Sequence, residues 1–255
     1  NNALQMLNAA ISLNSNNYPA LLIKANTHIK LNQNRQALFV ISNALQLQQT
    51  SNGYFTRGVA NDSLKYYSQS IADYNAAIAL EPTHQDAYYA LTKAYLNNNQ
   101  LDSALVIANK TVQKFSEAQE AYKTRSNVFY KRGEILNAIN DLSKLETLTE
   151  SKAEVLFTRG YYYFQYQHFQ NAKSDFSQVL VLDPSHYFAT YWLARSNEEM
   201  MEDAEAIMDF NLFLEQTQNN QCCAKEVADA KKRLFELKRE STAPKIKFDS
   251  LVNFS

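Results

Sequence analysis

Glycine and proline are scarce in this sequence, four of each in 255 residues, which excludes collagen-like and low-complexity chains. Cysteine is nearly absent as well. The two present, Cys222 and Cys223, are adjacent, so they cannot join distant segments and match no metal-ligand spacing; they read as reduced thiols near a helix start. A charge of one sign is also missing, since 25 basic residues stand against 26 acidic ones. Without such a field nothing holds a polyanion, and nucleic acid is not an expected partner. No apolar run reaches the ~20 residues that a bilayer span needs, so no direct membrane insertion is expected. The chain opens Asn1-Asn2, with neither an initiator Met nor the apolar core of a signal peptide. It is expected to be part of a longer protein.

Sequence marks of chemistry are missing too. There is no Gly-rich phosphate loop, no HExxH and no CxxC. His28, His84, His168 and His186 are scattered, and His84 and His186 repeat because a turn repeats. Adjacent carboxylates such as Glu198 and Glu199 read as a solvated face rather than as a paired acid and base. The expectation is a non-enzyme, with no catalytic residue, no cofactor and no metal.

What the sequence does contain is a period. Phe55-Thr56-Arg57-Gly58 returns as Phe157-Thr158-Arg159-Gly160, and Leu80-Glu81-Pro82 returns as Leu182-Asp183-Pro184. Both echoes are displaced by 102 residues, three times 34. A 34-residue period marks a helical repeat array. Within it come an aromatic residue or Leu, a small residue, Tyr, Ala, Phe or Tyr, a small residue, then Pro. In this pattern, over nearly the whole chain, the sequence resembles the tetratricopeptide repeat family. The resemblance implies an all-α fold, a right-handed α-solenoid of antiparallel helix pairs closed by a C-terminal capping helix.

The expected organisation follows from the period. Residues 1–17, with a stripe of Ala3, Leu7, Ala10 and Leu13, form the second helix of a truncated repeat. Six units follow at 18–50, 51–84, 85–118, 119–152, 153–186 and 187–220. Residues 221–240 form the capping helix, on a stripe of Ala224, Val227, Ala228, Leu234 and Phe235. After Pro244 the helical pattern stops, and 241–255 reads as an extended tail or linker to a following domain. Small residues recur where paired helices cross, among them Gly160 expected against Ala172, because a larger side chain would hold the backbones apart. Gly133 remains at one turn between paired helices, with Asn99 the expected left-handed residue at another. Pro82 and Pro184 end second helices.

A charge pair recurs at a spacing of 16: Arg57 with Asp73, Arg125 with Asp141 and Arg159 with Asp175. Each predicts a contact between the two helices of one unit at 2.7–3.2 Å. Asp209 lacks its arginine, because Leu193 stands there, and needs another donor.

By repeat position, the groove lined by the first helices should present Phe55, Tyr89, Lys93, Lys123, Asn127, Phe157, Tyr161, Phe164, Phe188, Tyr191, Trp192 and Arg195. Aromatic anchors with cations and amides suit an extended peptide or a helix. The reading is therefore an interaction scaffold that binds a protein or peptide in its concave groove. The alternative is a regulatory or substrate-presenting array of a larger multidomain protein. Lys123 and Asn127 match the first pair of the family's chaperone-tail carboxylate clamp. Thr158, Phe188 and Trp192 replace its remaining groups, so a chaperone tail is not the expected ligand.

Overall fold

The computed structural model describes residues 2–218 and 223–242. Cys222 and the expected tail beyond Thr242 lie outside the described residues. All regular structure among the described residues is helical, in fourteen helices with no strand, and no helix is long and apolar enough to cross a membrane. The chain divides into two units, residues 1–148 and 149–255. The first holds α1 (Asn2–Leu13), α2 (Tyr18–Lys30), α3 (Asn34–Leu47), α4 (Ser51–Ser63), α5 (Tyr67–Leu80), α6 (Gln85–Asn97), α7 (Leu101–Lys114), α8 (Gln119–Lys131) and α9 (Ile135–Leu148). The second holds α10 (Lys152–Gln165), α11 (Phe169–Leu182), α12 (Tyr187–Glu199), α13 (Asp203–Gln216) and α14 (Ala224–Thr242). Within each unit, every first helix packs on its second helix, and that second helix packs on the next first helix.

Turn chemistry makes the pairs. In six pairs the residue after the first helix's C-cap has positive φ: Asn32, Lys65, Asn99, Gly133, Gln167 and Met201. Its N–H and that of the next residue then bond back to the last helical turn, as in Gln167 N–H to Phe164 O at 2.9 Å and His168 N–H to Tyr163 O at 2.9 Å. This satisfies carbonyls that a helix end would otherwise leave bare. The sequence reading named Asn99 and Gly133, and Asn32 carries the same signal as Asn99; Lys65, Gln167 and Met201 lie on the same period but carry side chains that hide it. Between pairs the backbone turns out extended, and Pro82 and Pro184 follow the C-caps Glu81 and Asp183.

Ala25, Ala44, Ala77, Thr92, Ala104, Ala138, Ala172, Ala194 and Ala206 are fully buried, as close helix crossing requires. One expected contact is different. A Cβ at Gly160 would lie 2.9 Å from Phe176 Cε1 and 3.1 Å from Asp175 Cβ. Gly160 makes room for the Phe176 ring one turn beyond Ala172, and Gly58 does the same for Tyr74. The reason is volume: a fully buried ring fills the crossing where the first helix has no side chain. A second correction concerns α14, whose buried side is Ala230, Leu234 and Leu237, while Ala224, Ala228 and Phe235 are exposed.

Candidate binding surfaces

The three arginine–aspartate pairs meet across their helix crossings. Arg57 Nη2 donates to Asp73 Oδ1 at 2.6 Å, Arg125 Nη2 to Asp141 Oδ1 at 2.6 Å, and Arg159 Nη2 to Asp175 Oδ1 at 2.8 Å. In each pair Nε donates as well, making a two-pronged contact. The hydrogen bond to its aspartate outweighs burial and raises the pKa of Arg57, and likewise of Arg125. The carboxylates are nearly inaccessible, so these arginines set helix pairing rather than form a track for anions. Asp209 takes a single amide instead, Asn197 Nδ2 at 2.8 Å. Burial first, and the charge of Glu205 after it, push its pKa up to about 6 against the opposing effects of Asn197 and Lys173.

The groove residues of the first unit fall into two kinds. Lys93, Lys123 and Asn127 are exposed. Lys93 and Asn127 line a cleft of about 270 Å³ with Asn97, Asn99 and Lys131. Lys93 Nζ also reaches across from α6 to Glu120 on α8 at 2.7 Å. Tyr89 is buried, and burial, reinforced by Asp86 and Glu120, raises the pKa of its hydroxyl. Phe55 is half-buried against the rings of His84 and Tyr74, with centroids 4.9 and 5.8 Å away. The sequence reading missed Asn97 and Lys131, which stand one helical turn after Lys93 and Asn127 and repeat each other one period on.

In the second unit the aromatic residues do converge. Trp192 is half-buried and meets Tyr161, Phe164 and Tyr191 edge-on, at centroid distances of 5.0, 5.0 and 5.3 Å. The Arg195 guanidinium lies over Phe164 at 5.4 Å and Trp192 at 5.8 Å, a cation–π arrangement. Phe164 and Tyr191 are buried, so they support Trp192 rather than reach solvent. Phe157 packs on His186 and Phe176, repeating the arrangement of Phe55. Phe188 is half-buried beside Tyr187.

The charge around Tyr191 was not anticipated. Its hydroxyl donates to Asp229 Oδ2 of α14 at 2.6 Å, and Arg195 Nη1 donates to that hydroxyl at 3.3 Å. Arg233 Nε joins Asp229 at 2.7 Å and Arg233 Nη1 joins Glu198 at 2.7 Å. Burial and the bond to Asp229 raise the Tyr191 pKa to about 12. Burial opposes ionisation of Asp229, but the bonds from Tyr191 and Arg233, with the nearby guanidinium charges, outweigh it and lower its pKa. Continuing the period would have pointed here, because Asp229 and Arg233 stand one period after Arg195 and Glu199. Among the described residues, no group of three or more His, Cys, Asp or Glu could hold a metal ion.

Two tetratricopeptide repeat models match the sequence, one over residues 51–84 and one over residues 73–106. The chain carries tetratricopeptide repeats. Solved structures share the fold. The C-terminal part of a TPR repeat-containing protein from Cytophaga hutchinsonii superposes with a TM-score of 0.76 at 19% identity, over 87% of this chain and 89% of that one. A tetratricopeptide repeat protein from Parabacteroides merdae gives 0.62 at 17% identity, over 92% and 91%. YrrB, a TPR protein with an unusual peptide-binding site, gives 0.57 at 18% identity, over 72% and 95%. No match was found among curated proteins.

Proposed function

We propose that this tetratricopeptide repeat chain is a non-enzymatic scaffold that holds a peptide segment of a partner protein against its first helices. The observation that carries the reading is the setting of Trp192. A partly buried indole is held by three edge-on rings and overlaid by a guanidinium. A rigid aromatic anchor loses little side-chain freedom on binding, which is why such residues dominate interfaces. In the first unit a surface of its own, the cleft of Lys93, Asn97, Asn127 and Lys131, offers cations and amides. The fold it shares with YrrB, a protein with a peptide-binding site, is in keeping with this use.

The test is to select peptides on the full chain from a displayed random library and measure their binding by fluorescence anisotropy. Trp192→Ala should weaken the selected peptides by about thirtyfold, as loss of an anchor worth ~2 kcal/mol does. Phe39→Ala, an exposed ring on a second helix, should leave them unchanged. Selected peptides that bind Trp192→Ala as tightly as the unmodified chain would overturn the assignment of this surface.

A further inference from the structure

α14 has two apolar sides. Ala230, Leu234 and Leu237 close the core that contains Tyr191, Phe210 and Phe213. Roughly a third of a turn round the helix, Ala224, Ala228 and Phe235 face solvent, Phe235 with 69% of its surface exposed. At 3.6 residues per turn these three fall within about 40° of one another. They form a seam in which two small residues allow a close backbone approach and one ring stands ready to insert. Beside the alanines, a cleft of about 640 Å³ opens between Leu214 and Thr217 at the end of α13 and Val227 on α14.

Cations frame the seam. Lys231 and Lys238 lie on one side, and Lys225, Lys232 and Arg239 on the other, all exposed. Among the described residues, Glu236 is an acid at its rim, 3.9 Å from Lys232. The whole chain is nearly neutral, so this concentration is local. The architecture also specifies what shape fits. Each earlier first helix is covered by a second helix, and α14, whose Asp229 stands one period after Arg195 of α12, has none among the described residues.

We infer that the outer face of α14 docks an acidic amphipathic helix from a partner protein. The incoming helix lays an apolar seam against Ala224, Ala228 and Phe235 and sets carboxylates against the flanking lysines. Opposite charge at the rim selects the partner and speeds encounter, while the buried ring and alanines hold it. This surface shares no residue with the first-helix faces proposed above, so its fate does not depend on theirs.

The experiment uses the full chain and three probes: a labelled helical peptide with a leucine seam and glutamate flanks, its lysine-flanked twin, and phosphatidylserine vesicles. The glutamate peptide should bind at least about tenfold more tightly than its twin and weaken as salt rises. Lys231→Glu with Lys232→Glu should reverse that preference. Phe235→Ala should lower affinity about tenfold without moving the melting temperature, because the ring makes no core contact. Equal binding of the two peptides, no binding of the glutamate peptide, or a preference that survives the charge reversal would overturn the proposal. Sedimentation with the vesicles in place of peptide binding would assign the face to a membrane surface and overturn it as well.

Discussion

Two neighbouring repeats of the second unit place an aspartate at the same position and treat it differently. In the pair α10–α11, Asp175 receives two donors from Arg159. In the pair α12–α13, Asp209 receives one, from Asn197, because Leu193 occupies the arginine's position and packs into the core with Leu156 and Phe176. Asp73 in the first unit shows the full arrangement, with both Arg57 and Asn61 donating to it. Asp209 has kept the amide and lost the guanidinium. The difference shows that the repeat specifies a buried carboxylate and that its partner is what makes the carboxylate tolerable.

The comparison breaks most sharply at Arg159. Arg159→Ala leaves Asp175, which is 3% exposed, without its cation, and losing one side of a buried pair costs about 3–5 kcal/mol. Removing both charges, as Arg159→Met with Asp175→Leu, should recover much of that, since apolar packing often replaces a buried pair at little net cost. Denaturant unfolding of both variants is the measurement. An Arg159→Ala chain that unfolds with the unmodified one would mean that the pair, however well formed, sets nothing.

A smaller and opposite effect is expected at Asp209. Its folded carboxyl holds a proton more tightly than an unfolded one, with a pKa of about 6 against the ordinary 3.8. The ionised group therefore costs stability above about pH 6, and the cost is relieved as pH falls from about 6 toward 3.8. Asp209→Asn should stabilise the protein at pH 7.5 by on the order of 1 kcal/mol, after allowance for solvent screening of a half-buried group. The new amide can still accept from Asn197 Nδ2. The gain should vanish by about pH 4. A gain that is constant with pH would show that the carboxylate's charge is not its source.

What was legible in the sequence follows the same division. The helix pairs, the arginine–aspartate contacts and the bare position of Asp209 could be read because each rests on residue types spaced by the period. The surfaces were read less well, because exposure depends on which neighbour arrives first. Tyr89, Phe164 and Tyr191 occupy groove positions but are buried by adjacent helices, and α14 turns Phe235 outward although it belongs to an apolar stripe. A stripe wide enough to include Ala228, Phe235 and Leu234 does not say which edge faces the core. Ala230 and Leu237 decide it, through the fit of the helix against Phe210 and Phe213.

The smallest effect concerns the turns of the same two repeats, where the chain again departs from an ideal residue without departing from the geometry. Gln167 and Met201 hold φ of 61° and 60°, a region in which a side chain costs roughly 1–2 kcal/mol and glycine does not. Both side chains are exposed, Met201 at 88%, so removing them sacrifices no packing. Glycine is the more flexible residue in the unfolded chain, which takes back part of the gain. Gln167→Gly and Met201→Gly should each stabilise by about 0.5–1 kcal/mol. Gly133 supplies the converse in the first unit. It holds φ of 79° with nothing within 4 Å of an added Cβ, so Gly133→Ala tests backbone strain alone and should destabilise by a similar amount. Thermal unfolding of the three variants measures the same term in both directions. If Met201→Gly lowers the melting temperature, the left-handed turn is held by the side chain it carries and not in spite of it.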